Sequence, residues 1–583
     1  MSQKNLELIR HSLAHLLAAA VNDLYPNALP TIGPSIENGF YYDFGNLKIS
    51  DADLPKIEEK MRELLPSWKE FTKEEKSPNE AAHHPVIVGN RYKKELVDEV
   101  VSRGETITFY TSGEFTDLCR GGHAERPAKE IKANSFKLTH LAGAYWRGDS
   151  KNPQLTRIYG VAFASKKELD EYIAMLEEAK KRDHKKIGVE LDLFLIDEKV
   201  GKGLPMWTPK GTAVKFELEK FTRDLERKYG YEHVETPYLG AEELYRISGH
   251  LDHFSKNMYA PIDMDGDKFY LRPMACPHHI RMYQRKPWSY KELPVRYAEI
   301  SDYNRYEKSG ELMGMIRVRK FQLTDGHLFI APEGLKDEFK NVCRMISEAV
   351  TTLGLLDIVS YRFSKRDSNN KEKYYPDDKL WNHAEGLMKE ALDELGFDYV
   401  EAEDEAAFYG PKLDVQAKNV NGKEDTLFTA QIDFLLPQKF NLEYIDANGE
   451  KKRPVMIHRS TVGCLERTFA FLIEHYAGAF PLWLSPVQVR VLAVSDKFQE
   501  YARKVTDALK TENIRTELTE ANETLGKRIR AAETEKIPYT IVLGEKEMNA
   551  KTVNLRNNRK NTQGEMEIEA AIETLREEIS KKL

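Results

Sequence analysis

The sequence predicts a multidomain protein that combines α+β and α/β regions. With 583 residues, the chain is long enough for three or four domains of ordinary size. Its content of 41% hydrophobic and 31% charged residues is typical of a globular protein with large cores. Helical and strand-like patterns also change character near residues 160 and 485. We therefore predict domains at residues 1–163, 189–484 and 485–583, with a connector helix at 164–188.

The first region is predicted to be α+β. Apolar residues recur at helical spacing over residues 5–23, and the segment GETITFYT at 104–111 is typical of a strand. A polar loop, DLCRGGHAERP, follows at 117–127. Ser165 and Glu168 then form a capping-box pattern, which predicts one continuous connector helix over SKKELDEYIAMLEEAKKRDHKK.

The middle region is predicted to contain an antiparallel sheet covered by helices. Its strand signals are the segments VRYAEI, GHLFI, TAQIDFLL and PVMIHR. The pattern changes after Pro481 and Pro486. From there, the strand signals VQVRVLAV, RTELTEA, YTIVLG and VNLRNN alternate with helical stretches that end with EIEAAIETLREEI, so residues 485–583 predict an α/β domain.

The sequence predicts that the protein neither spans a membrane nor is secreted. The sequence has no run of eighteen apolar residues, and its N-terminus lacks the layout of a signal peptide. We therefore expect a cytoplasmic protein without a membrane partner. The four cysteines, Cys119, Cys276, Cys343 and Cys464, lie far apart and show no disulfide-scaffold pattern. The net charge of -7 neither supports nor excludes a nucleic-acid partner, since binding depends on local basic patches.

The stretch RYAEISDYNRYEKSGELMGMIRVRKFQLTDGH, at 296–327, indicates polyphosphate binding. It places Arg305, Arg317 and Arg319, together with Glu307, around a glycine-containing loop. The planar fork of arginine suits bidentate contact with phosphate. No Walker lysine-serine pair and no strand-linked GxGxxG accompanies these residues, so the usual phosphate cradle at a helix N-terminus is excluded.

Three motifs follow one another along the middle region: ETPYL at 235–239, Arg305-Tyr306-Glu307 with SGELMG, and GCLERTFAFLIEH at 463–475. In this order they resemble the three motifs of class II aminoacyl-tRNA synthetases. MACPHH, TDGH, FYGPK, QIDF and IHRSTVGCLER also run in the order found in the threonyl-tRNA synthetase family. The resemblance extends from residue 5 to the C-terminus. It implies the antiparallel-sheet catalytic core of class II synthetases, with an N-terminal α+β editing domain and a C-terminal α/β anticodon-binding domain.

The resemblance implies a homodimeric ligase that activates L-threonine with ATP and transfers it to the 3′ end of tRNA(Thr). The family often begins with a ubiquitin-like domain, whereas this sequence begins within a few residues of the helix that contains HSLAH, so we expect that domain to be absent from it. Adenylate formation is an in-line attack of a carboxylate on the α-phosphate and needs positioned cations. By resemblance, the ATP site comprises Arg305 at the α-phosphate, Arg467 at the adenine and γ-phosphate end, Arg317 at the phosphates and Glu307 at the adenine side. Mg²⁺ is expected to bridge the ATP oxygens.

Cys276, His327 and His458 are too widely separated for a spacing argument about metal. The resemblance implies that they form a zinc tripod with an open position, with one Zn²⁺ per subunit. A hydrophobic pocket separates threonine poorly from valine, its near isostere, whereas zinc can bind an amino and a hydroxyl group together. The resemblance places Asp325 at the threonine hydroxyl and completes the pocket with Met274, Tyr409 and Gln431.

Serine offers the same two groups as threonine and lacks only a methyl, which disfavours it by roughly 1–3 kcal/mol. A hydrolytic editing site is therefore expected. His11 and His15 lie four residues apart and share a helix face, whereas Cys119 and His123 lie in a loop. Ser12 stands where a zincin has glutamate, which argues against a metalloprotease. The resemblance implies that this set, with Lys93 and Asp117 nearby, hydrolyses seryl-tRNA(Thr) without a metal.

In the C-terminal region, the resemblance assigns anticodon contacts to four polar residues: Asn522, Lys546, Glu547 and Arg556. Exposed bases of single-stranded RNA are read by hydrogen bonds and stacking. The sequence departs from the family pattern near the catalytic site. The departures include Leu323 and Gly326 in FQLTDGH where FTQDDAH is usual, Thr426 in place of glutamine, and His278 in MACPHH where MNCPGH is usual.

Two other functions compete with this interpretation. The first is a synthetase for another small amino acid, serine or proline, against which the tripod and Asp325 argue. The second is a non-catalytic RNA-binding regulator that retains the synthetase fold, against which Arg305 and Arg467 argue.

Overall fold

A computed structural model describes residues 3–149, 151–560 and 562–582 and divides the chain into two units, 1–177 and 178–583. In the first unit, the helices are α1 (Gln3–Leu24), α2 (Leu54–Leu64), α3 (Pro78–Ala82), α4 (Arg91–Ser102), α5 (Pro127–Glu130) and α6 (Lys166–Arg182), which contains the unit boundary. The strands are β1 (Leu29–Pro30), β2 (Ser35–Ile36), β3 (Gly39–Gly45), β4 (Thr72–Lys76), β5 (Ile107–Ser112), β6 (Phe115–Leu118), β7 (Phe136–Tyr145) and β8 (Gln154–Ala162).

The strands of the first unit form two antiparallel sheets. One has the order β1-β3-β8-β7, with β2 on β3, and the other has the order β4-β5-β6. Helix α1 packs on the first sheet, because its apolar stripe, including Leu13 and Leu17, is buried with Phe40 and Phe44. The predicted N-terminal helix and the strand at 104–111 are thus present.

The second unit begins with the helices and strands of the middle region. The helices are α7 (His184–Glu190), α8 (Pro209–Lys228), α9 (Glu242–Ser248), α10 (His250–His253), α11 (Cys276–Tyr283), α12 (Leu335–Thr352), α13 (Asp378–Leu395), α14 (Leu435–Lys439) and α15 (Leu465–Tyr476). The strands are β9 (Phe194–Leu195), β10 (Met206–Trp207), β11 (Glu232–His233), β12 (Leu239–Ala241), β13 (Ile262–Met264), β14 (Asp267–Leu271), β15 (Val295–Asn304), β16 (Lys320–Ile330), β17 (Val359–Ser364), β18 (Tyr399–Ala402), β19 (Lys412–Lys418), β20 (Glu424–Asp433), β21 (Tyr444–Ile445), β22 (Lys451–Lys452) and β23 (Val455–Cys464).

The main sheet of this unit has the order β11-β15-β16-β23-β20-β19-β17-β18, and its pairs are antiparallel except at the two edges. Side chains alternate between its faces. Leu328 and Ile457 point to a core shared with the helices, which includes Leu218 of α8, Phe339 of α12 and Phe469 of α15. The helices cover that face of the sheet. The residues that alternate with Leu328 and Ile457 along the strands point to the opposite face, where the candidate site lies.

The remaining residues of the second unit form an α/β layer. Its strands are β24 (Val489–Ala493), β25 (Thr516–Thr519), β26 (Tyr539–Leu543), β27 (Thr552–Asn557) and β28 (Thr562–Glu567), and its helices are α16 (Gln499–Thr511), α17 (Leu525–Thr534), α18 (Glu545–Ala550) and α19 (Ile568–Ser580). The sheet order is β25-β24-β26-β27-β28, with β25, β24 and β26 parallel. The sequence did not predict β28, whose alternating polar residues give no apolar signal.

The prediction of one continuous connector helix was wrong. Helix α6 ends at Arg182, and α7 starts at His184, because the side chain of Asp183 accepts a hydrogen bond from the backbone N of Lys185 at 2.8 Å and caps the new helix. The predicted capping box at the start of α6 is present, with the Glu168 backbone N 3.3 Å from Ser165 Oγ. Among the described residues, no helix is both long enough and apolar enough to span a membrane.

Candidate functional site

Strand register places the central site residues in one row. His327 of β16 lies opposite His458 of β23, and His458 lies opposite Gln431 of β20. Residues in register on neighbouring strands point to the same face, as do residues two apart on one strand. Asp325 therefore joins the row on the face that the helices leave open.

Cys276, the first residue of α11, meets this row. One ligand atom each of Cys276, His327 and His458 lies within 4.8 Å of the other two, and all three residues are buried. Two nitrogens and one sulfur around an open fourth position are the donor set of catalytic zinc sites. The residues therefore fit the implied metal.

Hydrogen bonds orient both histidines of the tripod. Nε2 of His458 donates to the Asp433 carboxylate at 2.7 Å, and Nδ1 of His327 lies 2.8 Å from Nδ1 of His279. The other nitrogen of His279 lies 2.9 Å from the carboxylate of Glu299. Since a carboxylate accepts, His279 donates from Nε2 and accepts at Nδ1, so His327 keeps Nε2 free for a metal.

The charge states suit metal binding. Burial lowers the pKa of His327 well below its ordinary value, so the ring is neutral, as a ligand must be. Burial also raises the pKa of the Glu299 carboxyl, but His279 and Arg272 offset this and hold it at about 2. Burial, with Asp325 and Asp433 nearby, raises the pKa of Cys276. A bound cation is what would keep that thiol ionised at neutral pH.

The other predicted pocket residues surround the tripod. The Tyr303 hydroxyl donates to Oδ2 of Asp325, and burial raises the pKa of that carboxyl. Tyr409 stacks on His458 with ring centroids 5.0 Å apart and donates to Oε1 of Gln431. Met274 is partly buried two residues before Cys276. These side chains would enclose a small polar ligand beside a metal held by the tripod.

The predicted ATP residues lie in the loop between β15 and β16 and at the start of α15. Nε of Arg305 donates to the carbonyl of Pro273 at 3.2 Å. Arg467, at the start of α15, donates to the carbonyls of Ile316 and Thr426 at 3.0 and 2.7 Å. Arg317 is exposed and pairs with Glu307 at 3.7 Å. Backbone carbonyls therefore hold Arg305 and Arg467, whereas Arg317 is exposed beside a carboxylate.

A second cluster lies in the first unit. His11 and His15 of α1 meet Cys119 and His123 from the loop after β6, with one ligand atom each within 4.8 Å of the others. Nε2 of His11 is 3.2 Å from Nε2 of His15 and 3.5 Å from the sulfur of Cys119. His11, His15 and Cys119 border a cavity of about 360 Å³ whose other wall includes Leu96 and Val100.

Asp117 organises the buried side of this cluster. It pairs with Lys93 at 2.5 Å and with Nδ1 of His15 at 3.1 Å. The Tyr42 hydroxyl donates to the same carboxylate at 2.5 Å and accepts from Lys93 at 3.1 Å. Tyr42 was not predicted, since a tyrosine in an apolar strand such as β3 is typical of a core residue.

The electrostatics of the cluster favour charge separation. Burial lowers the pKa of His15, but Asp117 and Cys119 more than offset this and raise it to about 9. Burial raises the pKa of Cys119, yet hydrogen bonds with His11, His123 and His15 bring it down to about 3. His123 keeps a lowered pKa, chiefly through burial. The cluster thus combines a thiolate, a cationic histidine and a histidine that can accept a proton.

The predicted anticodon residues are divided between two positions in the α/β layer. Asn522, Lys546 and Glu547 follow the carboxyl ends of the parallel strands β25 and β26, where such ends meet at one edge. Glu547 accepts from the backbone N of Gly544 at 2.8 Å, and Lys546 pairs with Glu565. Arg556 instead lies opposite Thr540, nearer the start of β26, and pairs with Glu533 at 2.6 Å.

Three protein-family models match this chain, one in each region that contains a candidate site. Residues 107–159 match the "Threonyl and Alanyl tRNA synthetase second additional domain", residues 259–476 the "tRNA synthetase class II core domain (G, H, P, S and T)", and residues 488–578 the "Anticodon binding domain". The threonine–tRNA ligase of Anoxybacillus flavithermus is 48% identical over 578 residues, 99% of this chain and 89% of the relative. The chain belongs to the threonyl-tRNA synthetase family.

Further comparisons agree with this assignment. Threonine–tRNA ligase 1 of Bacillus subtilis is 48% identical over 557 residues, 95% of this chain and 86% of the relative. The solved RNA binding domain of threonyl-tRNA synthetase from Cryptosporidium parvum Iowa II is 32% identical, with a TM-score of 0.64, and the match covers 68% of this chain and 98% of that chain. The class II core and the flanking domain types predicted from the sequence are confirmed.

Two departures from the pattern of the threonyl-tRNA synthetase family have clear packing consequences. A Cβ on Gly326 would lie 2.2 Å from Cζ of Arg459, which is buried and paired with Glu226 at 2.8 Å. Nε2 of His278 donates to the carbonyl of Leu239 at 3.2 Å, so this histidine ties α11 to β12 and leaves the tripod contact to His279.

Two further departures, Thr426 and Leu323, lie beside the ATP residues. Thr426 offers its carbonyl to Arg467, and its hydroxyl accepts from Gln416 at 2.8 Å. Leu323 is partly buried against Tyr303 and Phe321. The sequence did not predict that His279, Glu299 and Asp433 support the tripod, although His279 directly follows the departure at His278.

Proposed function

We propose that the protein uses ATP and Mg²⁺ to convert L-threonine to threonyl-adenylate and then transfers the threonyl group to the 3′ end of tRNA(Thr). The observation that carries this proposal is the meeting of Cys276, His327 and His458 beside Asp325. A threonine carboxylate oxygen would attack the α-phosphorus, and pyrophosphate would leave. Arg305, Arg317 and Arg467 would stabilise the charge on the phosphates.

We propose that Cys276, His327 and His458 bind one Zn²⁺ per subunit, which would ligate the amino and hydroxyl groups of threonine. Asp325 would accept the hydroxyl proton in a hydrogen bond, with Tyr303 orienting the carboxylate. Tyr409, Gln431 and Met274 would fill the space around the side chain. Valine lacks the hydroxyl and would leave buried polar groups unpaired, which is a costly mismatch.

The test is amino-acid-dependent exchange between ATP and pyrophosphate, combined with zinc analysis. Wild-type protein should support exchange with threonine more strongly than with serine, valine or proline and should contain one zinc per chain. Cys276→Ser should lose both zinc and exchange. Exchange with serine or proline in preference to threonine would favour the competing synthetase, and tight tRNA binding without any exchange would favour the RNA-binding regulator.

We propose that the cluster of His11, His15, Cys119 and His123 hydrolyses seryl-tRNA(Thr) without a metal. Asp117 and Cys119 would hold His15 in its charged form, Lys93 would pair with Asp117, and His11 or His123 would activate water. His11→Ala should leave threonine charging intact while seryl-tRNA(Thr) accumulates; deacylation at the wild-type rate would contradict the assignment. A second zinc per chain that survives Cys276→Ser would contradict a metal-free cluster.

We propose that Asn522, Lys546, Glu547 and Arg556 read the anticodon and that the protein is a homodimer. The exposed apolar residues Tyr238, Ile262 and Met264, on or beside the sheet of β12, β14 and β13, favour a protein contact there. Light scattering should give twice the chain mass. The four free cysteines fit the reducing cytoplasm that we propose as its compartment.

A further inference from the structure

His184 is not among the residues assigned to the ATP and threonine sites, yet its ring is buried against the loop that carries Arg317. It is 2% exposed at the start of α7. Nδ1 lies 2.7 Å from Oε1 of Glu474, and Nε2 lies 3.1 Å from the backbone N of Met315. Because a backbone N–H only donates, Nε2 accepts, and the ring proton is on Nδ1, donated to Glu474.

The pair formed by His184 and Glu474 is closed by further protein contacts. Oε2 of Glu474 accepts from the backbone N of Val420 at 3.1 Å, and the residue is buried. Asp183 is used in capping α7. Both ring nitrogens of His184 already have partners. His184 and Glu474 therefore form a buried hydrogen-bonded pair and not, with the half-buried Asp183, a metal site.

The loop between β15 and β16 is attached to α15 at two neighbouring residues, Met315 and Ile316. The His184–Glu474 pair makes the first of these attachments. Met315 is joined through His184 to Glu474, near the end of α15. The next residue, Ile316, accepts at its carbonyl from Nε of Arg467, at the start of the same helix. Positions 467 and 474 are seven apart and lie on one helix face. The residue after Ile316 is Arg317.

The contact is close on the loop side as well. A Cβ on Gly314 would lie 2.1 Å from Nε2 of His184 and 2.8 Å from Cγ of Lys185. The backbone of the loop can approach the ring only because this residue has no side chain. The imidazole therefore determines how near the loop comes to α15.

We propose that His184 is a positioning residue of the ATP site. By accepting from Met315, it holds residues 314–317 against α15, so that Arg317 and Arg467 face the same polyphosphate. The inference rests on the proposed ATP-dependent activation. Under this proposal, His184 supports ATP binding from a buried position without contacting a substrate.

The test compares His184→Asn with His184→Gln. The asparagine amide can reach the Nδ1 position and donate to Glu474, but it is too short to accept from Met315. The glutamine amide extends to the Nε2 position and can restore that acceptor. His475→Asn is the matched control, because His475 is adjacent to Glu474 on α15, and its Nδ1 lies 4.0 Å from Asp357. Gly314→Ala perturbs the same contact from the loop side.

Two kinds of measurement are made on the whole chain. The first gives the KM values for ATP and threonine in pyrophosphate exchange, and the second follows hydrogen exchange of peptides that contain the Met315 amide. We expect His184→Asn and Gly314→Ala to raise the KM for ATP roughly tenfold, the effect of one lost hydrogen bond. The KM for threonine should stay within about twofold, and the Met315 amide should exchange faster. His184→Gln should recover protection and most of the ATP affinity, and His475→Asn should resemble wild type.

Several results would overturn the proposal. Unchanged ATP KM and unchanged Met315 exchange in His184→Asn would do so, and so would an equal effect of His475→Asn. If His184→Asn does not fold, wild-type behaviour of Gly314→Ala in both measurements would also overturn it. Absence of threonine-dependent exchange in the wild type would instead contradict the proposed function, while the amide-exchange comparison would still decide the role of the hydrogen bond.

Discussion

The Nδ1 atoms of His279 and His327 lie 2.8 Å apart in the interior of the class II core. His279 is held from its other side by Glu299, which itself pairs with Arg272 at 3.1 Å. A chain of polar contacts therefore runs from a buried ion pair to a proposed zinc ligand. Such supports orient the ligand and raise its basicity.

Replacing His279 with glutamine should weaken zinc binding by roughly 10–100-fold, because His327 loses the partner that keeps Nε2 free for the metal. Competition with a chromogenic zinc chelator measures this. His278→Gln is the control. In the part of the chain that the structure describes, the one hydrogen bond of the His278 side chain is to the carbonyl of Leu239. Equal zinc loss in both variants would show that the effect comes from α11 as a whole.

Replacing Tyr42 with phenylalanine should slow hydrolysis of seryl-tRNA(Thr) roughly tenfold, because the hydroxyl that bridges Lys93 and Asp117 is removed. Threonine charging should be unaffected. Tyr41→Phe is the matched control, since its ring instead lies 3.8 Å from the guanidinium of Arg157. Editing at the wild-type rate in Tyr42→Phe would exclude a role for the hydroxyl.

The contribution of His15 to the stability of the first unit should fall as pH rises, whereas the lowered pKa of Cys119 acts in the opposite direction between pH 3 and pH 9. Folding raises the pKa of this histidine from 6.5 to about 9, so its contribution is complete below pH 6.5 and is lost as pH passes 9. The full effect is on the order of 3 kcal/mol. Hydrogen exchange of α1 peptides, compared between wild type and His15→Asn across this range, measures the difference. Exposed His83, changed to asparagine, should leave the profile parallel to wild type.

Gly326→Ala should destabilise the protein by roughly 1–3 kcal/mol, because the new methyl group meets the buried guanidinium of Arg459. Urea unfolding measures the change. Gly386→Ala, on the exposed face of α13 with nothing within 4 Å, should be neutral or stabilising by up to ~1 kcal/mol. A wild-type midpoint in Gly326→Ala would show that Arg459 adapts without cost.

The main strands of the core were predictable because their apolar residues alternate or run continuously, as in VRYAEI and PVMIHR. The row of His327, His458 and Gln431 was predictable only through family resemblance, since its members come from different strands. The break at Asp183 was missed because the helical pattern continues across it. His184 gave no signal, because a single histidine in a basic stretch is typical of a solvated surface.

The sequence by itself determined the family, the kinds of domain, and the residue types available at each proposed site. Those features depend on local periodicity and on motifs that are contiguous in the chain. The tertiary structure decided which side chains support them: His279 behind His327, Tyr42 between Lys93 and Asp117, and His184 beneath the loop of Arg317. Such contacts depend on strand register and on close approach of segments distant in sequence, and neither is encoded in local periodicity.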